Sequence, residues 1–224
     1  MNIETLKIYT ENIEEQKEFY SETLGFNLIK ESKDSLSYEI GKSVLILEKR
    51  ENASPHHYAI NIPAHKEEEA LAWLKERVSI IKHEEHEIQT FKNWNAKAIY
   101  FYDKDKNIVE FIARRNLKNE TQNPFSTKQL LEISEIGVAT SDIERDYNYL
   151  HADIPLEIYY GSFEEFCAAG DEHGLFIFKN KNEGSWFPTH DKAISSDFEI
   201  SFIQNNNNFT LLYEDEKFKM QKIL

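Results

Sequence analysis

The chain has 224 residues, 40% of them hydrophobic and 13% aromatic, which is enough for a sizeable core in one large or two small domains. A formal net charge of −14 at pH 7 argues against nucleic acid or an anionic membrane as partner, because either surface repels it; an acidic excess of this kind more often serves solubility than recognition. One cysteine, Cys167, excludes an internal disulfide, and with no basic-then-apolar leader and no stretch of membrane-spanning length the expectation is a soluble cytoplasmic protein.

Short alternating segments dominate the first half. Leu6-Lys7-Ile8, Ser43 to Lys49, Tyr58 to Ile62, Ala98 to Tyr102 and Ile108 to Ala113 read as strands. Two segments carry helical spacing instead. One starts at Asn12, expected as the N-cap with Glu15 three residues on, and runs to about Leu24. The other, from about Lys66 to Val78, puts Ala70, Trp73, Leu74 and Val78 on one stripe.

The order in residues 1–117 is a βαβββ unit written twice. From Asn116 to Leu130 the alternation is lost, and residues 118–130 read as a linker to a second module spanning 131–224. The repeat shows in the sequence itself. Thr10-Glu11-Asn12-Ile13-Glu14 returns as Thr140-Ser141-Asp142-Ile143-Glu144, each after a strand and opening a helix, and Gly41 with Val44 to Leu47 finds a counterpart in Gly170 with Leu175 to Phe178. Phe166 to Ala169 is apolar and strand-like, so Cys167 reads as a buried structural thiol. After Trp186-Phe187-Pro188-Thr189, strands near Phe198 to Phe202 and Phe209 to Tyr213 follow with no room for a helix. The fold class expected is α+β: paired βαβββ units forming a cupped mixed sheet, in two tandem modules, the second reduced.

Three stretches resemble the vicinal oxygen chelate superfamily, the group of glyoxalases, bleomycin-resistance proteins and extradiol dioxygenases. Phe19-Tyr20 with Leu24-Gly25-Phe26 resembles its helix exit, and His57 to Ile62 its His-bearing fifth strand. Tyr102 to Phe111 resembles its final hairpin, with Lys104 and Lys106 where the family pattern has Pro and Gly.

The resemblance implies one divalent metal in the cup, with ligands from the first, fourth, fifth and eighth strands. Carried over, the fifth-strand His falls on His57 and the last-strand Glu on Glu110. The first and fourth positions fall on Thr5 and Ile46, neither of them a useful ligand. The repeat register pairs Thr5 with Glu135, and in glyoxalase-like members the front half of one module meets the back half of the other. The implied metal set is therefore His57, Glu110 and Glu135, holding Zn, Ni, Mn or Fe. Glu135 or Glu110 is then the catalytic base. The opposite half-sites offer Thr5 and roughly Asp197, too poor a pair for a metal.

Strand alternation places Ile133, Glu135 and Gly137 on one face and Ser134, Ile136 and Val138 on the other. His57, Ala59 and Asn61 likewise oppose Tyr58, Ile60 and Ile62, and Ile108, Glu110 and Ile112 oppose Val109, Phe111 and Ala113. Each candidate also has an ordinary reading: Glu110 as an ion-pair partner, His57 as a loop histidine, Glu135 as a solvent-facing strand residue. His83, His86 and His173 read as exposed, and nothing in the sequence requires His190.

Two functions stay open. One is a glyoxalase-like metal-dependent lyase or isomerase acting on a small oxygen-bearing substrate. The other is a metal-free small-molecule binding protein resembling the bleomycin-resistance proteins, with Trp94, Phe101, Tyr38 and Trp186 as stacking surface for a cationic ligand. A monomer of two modules and a homodimer both fit.

Overall fold

In the computed structural model, which describes residues 1–221, the strand–helix order falls into four units. The first holds β1 (Asn2–Thr10), α1 (Ile13–Lys17), β2 (Asn27–Ser32), β3 (Ser35–Ile40) and β4 (Ser43–Lys49). The second holds β5 (His57–Ile62), α2 (Glu67–Lys75), β6 (Ile80–Ile81), β7 (Gln89–Phe91), β8 (Ala96–Tyr102) and β9 (Ile108–Arg114). The third holds β10 (Glu132–Thr140), α3 (Ile143–His151), β11 (Ile158–Gly161), β12 (Phe166–Asp171) and β13 (Gly174–Asn180). The fourth, without a helix among the described residues, holds β14 (Phe198–Gln204), β15 (Asn207–Glu214) and β16 (Lys217–Gln221).

These units pair crosswise. The first and fourth share a seven-stranded sheet in the order β16-β15-β14-β1-β4-β3-β2. The second and third share a nine-stranded sheet in the order β11-β12-β13-β10-β5-β9-β8-β6, with β7 also on β8. Each sheet is therefore joined at its middle by an antiparallel pair between distant parts of the chain, β1 with β14 and β10 with β5. One core takes residues from one face of both sheets and from all three helices. A second, smaller cluster lies on the other face of the nine-stranded sheet.

The repeat register is present in the pairing. Thr5 lies opposite Val44, and Glu135 lies opposite Leu175, each in a parallel pair. Both first strands carry a bulge just before that residue, between Ile3 and Thr5 and between Ile133 and Glu135. A bulge adds one residue and resets which face the strand shows. Ile133 consequently packs in the main core with Ile136 and Val138, not on the face of Glu135 as simple alternation has it.

Three other expectations are corrected. Asn12 makes no side-chain cap; its amide reaches Asp105 instead, whereas its counterpart Asp142 accepts from the Arg145 N–H. The first helix is α-helical only to Lys17 and continues as a π-helical segment, Glu18–Thr23. Gly41 sits in the β3–β4 turn, but Gly170 lies inside β12 opposite Leu175, with Glu172 and His173 forming the turn.

Residues 118–130 pass along the surface with Phe125 buried against Trp73 and Phe111. Gly41 abuts the end of this segment so closely that a Cβ there would lie 2.5 Å from the carbonyl oxygen of Leu130 and 2.0 Å from that of Leu131. Cys167 is buried, and burial pushes its thiol up to about 11. No helix among the described residues is long and apolar enough to cross a membrane.

Candidate metal centre

The site grows from one small residue. Ala59 on β5 is in register with Glu110 on β9 to one side and with Glu135 on β10 to the other. Adjacent strands lie about 4.8 Å apart, so the two carboxylates start from backbones two strand spacings from each other. They lean together over the alanine methyl, which leaves the space between them open. His57, two residues before Ala59, rises from the same face and closes the triangle. Ligand atoms of His57, Glu110 and Glu135 all lie within 4.8 Å of one another, and all three residues are buried.

The orientation of His57 is fixed from behind. Its Nδ1 stands 3.1 Å from the carbonyl oxygen of Ile108, which can only accept, so Nδ1 donates. The coordinating atom left is Nε2, 3.6 Å from Glu110 Oε2 and 3.8 Å from Glu135 Oε2. Two donors about 2.0–2.2 Å from a tetrahedral or octahedral ion stand roughly 3.0–3.5 Å apart. The imidazole and each carboxylate need to close by only a few tenths of an ångström to share one. The neighbouring rings of Trp186 and Tyr100 lie 5.4 and 6.3 Å from the imidazole.

The two carboxylates differ. Glu135 accepts at Oε1 from the guanidinium of Arg114, which is fully buried and also donates from Nε to Asn61 Oδ1 at 3.1 Å. Asn61 in turn donates to Glu132, which also pairs with His173 and Lys42. Glu110 has no Lys or Arg within ion-pair distance among the described residues and lies directly across the β8–β9 pair from Tyr100. Burial first, and the charge of Glu135 second, push the Glu110 carboxyl well above its usual range, against the opposing pull of Arg114 and Tyr100.

Above the triad opens a cavity of about 320 Å³. Its walls are aromatic, with Phe91, Trp94, Tyr160, Phe166, Trp186 and Phe187, and Lys179 and Glu165 stand in the lining. Gly137 is what lets the loop carrying Trp186 come down: a Cβ there would lie 2.9 Å from that indole and 3.1 Å from the Cβ of His57.

The structure therefore brings His57, Glu110 and Glu135 together. It leaves Thr5 in the other sheet and Asp197 just before that sheet's β14, Thr5 hydrogen-bonded to Ser201 and Asp197 paired with Arg50. Trp94 and Trp186 line the cavity, but Tyr38 and Phe101, also expected as stacking surface, are fully buried in the main core, where their odd-even phase on β3 and β8 places them. His83 and His86 are exposed, His190 is exposed, and His173 binds Glu132. Sequence reading missed Arg114, Tyr100 and Lys179. Arg114 had a signal: it continues the Ile108, Glu110, Ile112 face of β9 by one more step of two.

Residues 2–111 match the sequence profile of the Glyoxalase/Bleomycin resistance protein/Dioxygenase superfamily. They are a module of that superfamily. The match includes His57 and Glu110 and ends before Glu135. No curated protein matches the chain.

Among solved structures, the glyoxalase-type fold extends over the whole chain. A Bacillus subtilis subsp. subtilis str. 168 protein, provisionally named a dioxygenase, superposes with a TM-score of 0.65 at 12% identity, covering 97% of this chain and 83% of that one. Single-module structures align with about half. Lactoylglutathione lyase from Agrobacterium tumefaciens gives a TM-score of 0.43 at 16% identity over 50% of this chain and 92% of its own. A glyoxalase/bleomycin resistance protein/dioxygenase from Alicyclobacillus acidocaldarius gives 0.44 at 17% identity over 54% and 96%.

Proposed function

We propose that this glyoxalase-superfamily protein is a metal-dependent enzyme of lyase or isomerase type, with one divalent ion held by His57, Glu110 and Glu135 across the junction of residues 1–117 and 131–224. The observation that carries the reading is the convergence of one oriented imidazole and two carboxylates at the floor of a cavity. Three protein donors leave coordination positions for solvent or substrate, which is the arrangement of catalytic and not structural sites. Zn, Ni, Mn and Fe all suit a set of one nitrogen and two oxygens. Bound there, such an ion supplies charge stabilisation for an oxyanion developing on a small oxygen-bearing substrate.

The chain's own groups divide the remaining work. Arg114 fixes Glu135 through one oxygen, so that carboxylate stays in place and presents its other oxygen to the site. Glu110, without such a clamp, is the carboxylate free to turn, take a proton from the substrate and return it to the product, with the neutral Tyr100 hydroxyl beside it as a hydrogen-bond donor. The aromatic walls hold the substrate body and exclude water.

A second reading, metal-free binding of a small molecule, draws on Arg114: a buried cation already neutralises one carboxylate of the set. Metal analysis separates the two. Protein purified without chelator or affinity-tag metal is expected to hold about one ion per chain, lost in His57→Ala and in Glu135→Gln. Absence of metal from every preparation, with stability unchanged by added ions or by chelation, overturns the enzyme reading in favour of the binding one.

A further inference from the structure

The cavity contains a second charged feature that the triad does not use. Lys179 lies on β13 two residues beyond Ile177, on the face that lines the cup. Its side chain is only 8% exposed, and its Nζ donates to Glu165 Oε1 at 2.6 Å. Glu165 is the sole acceptor recorded for that ammonium among the described residues, although an ammonium carries three donors.

The two partners are unequally held. The Glu165 side chain is 69% exposed and can swing into water, while the Lys179 stem is walled in and cannot follow. Gly184 passes over the pair without a side chain; a Cβ there would come no nearer than 3.6 Å to Nζ. A fixed cation with a removable counter-ion is a receptor for an anion. An ion pair serving stability alone has no reason to place its cation in the wall of a cavity.

The rest of the cavity says what carries the anion. Tyr160 and Phe187 are 45% and 42% exposed at the mouth, with Phe91 and Trp94 beside them. Exposed aromatic side chains gathered round a cavity favour a flat apolar body. On the metal reading, a divalent ion with Arg114 and Lys179 outweighs Glu110, Glu135 and Glu165 by one positive charge, so the loaded cup favours an anionic over a cationic guest.

We propose that the ligand is an aromatic acid, its ring between the aromatic walls and its carboxylate on Lys179 in place of Glu165. The anion preference rests on the metal reading for its strength, but the Lys179 subsite itself does not need the ion.

Fluorescence of Trp94 and Trp186, both in the cavity wall, reads occupancy directly. The probes are 3-phenylpropionate, its uncharged amide and 3-phenylpropylamine, titrated into metal-loaded and chelator-treated protein. The acid should bind at least tenfold tighter than the amide, and the amine should bind weakest. Lys179→Met should abolish the advantage of acid over amide, Lys179→Arg should keep it, and Glu165→Gln should tighten the acid severalfold by removing its competitor. Circular dichroism confirms that each variant is folded, and Lys179→Gln replaces the Met variant if that one is not.

The same titrations in His57→Ala distinguish the two proposals. A Lys179-dependent preference that survives in His57→Ala keeps the subsite, and only a parent protein that holds no metal in any preparation removes the metal centre. A preference that vanishes in His57→Ala but persists in Lys179→Met places the carboxylate at the ion and overturns the subsite. No preference for the acid in the parent protein overturns it as well.

Discussion

Arg114 and Glu135 are ion-paired while both are buried, and the same carboxylate turns its second oxygen toward His57, 3.8 Å away. One residue thus joins a structural network to the floor of the cup. The network continues through Asn61 to Glu132 and His173 near the surface.

Removing Arg114 leaves Glu135 and Glu110 facing each other without a fixed cation. An uncompensated buried charge of this kind costs about 3–5 kcal/mol. Arg114→Met is expected to lower the stability of chelator-treated protein by that order in urea unfolding, and Arg114→Lys by less. A loss within about 0.5 kcal/mol for Arg114→Met contradicts the assignment of the guanidinium as the clamp on Glu135.

Gly137 predicts a packing effect with a local signature. An added methyl meets Trp186 and His57 at once. Gly137→Ala should cost about 1–3 kcal/mol through overpacking and red-shift the Trp emission as the Trp186 loop lifts. Unchanged emission with unchanged stability excludes the close approach.

Acid sensitivity follows from Glu67 and Glu132. Burial works to raise both, but other contacts outweigh it and hold each below the usual 4.5: for Glu67 its own backbone N–H, Lys97 and Arg115, and for Glu132 the hydrogen bonds of Asn61 and His173 with the charges of His173 and Lys42. With folded values below the unfolded one, the unfolded chain binds more protons in that window. Their contribution is complete above the unfolded value and is lost as the pH falls through the folded ones. Unfolding measured between pH 7 and pH 3 should show Glu67→Gln and Glu132→Gln less stable than the parent at pH 7 and converging on it in acid. A deficit of constant size across the range contradicts the ion-pair assignment.

The sequence made the architecture legible because its strands are short and alternate: β4 was read to the residue, and β5, β8 and β9 to within two. The candidate site is legible through register. Thr5 and Glu135 hold equivalent places, so a carboxylate absent from the first unit has its counterpart in the third. Faces were less readable where a bulge intervened, as at Ile133, since alternation counts residues and a bulge adds one. The clamp and the Lys179 pair were not legible, because contacts of Glu135 with Arg114, or of Lys179 with Glu165, depend on strands brought together by folding and leave no local pattern. The Asn12 cap failed for a similar reason: Asp105, 93 residues away, competes for its amide.

Anomalous diffraction from crystals grown with Zn or Mn locates an ion held by His57, Glu110 and Glu135. One strong peak per chain is expected between His57 Nε2 and the facing oxygens of Glu110 and Glu135, at bonding distance from all three, with no peak in His57→Ala. A peak bound elsewhere, or the three side chains unmoved with no anomalous signal between them at saturating metal, contradicts the proposed metal centre.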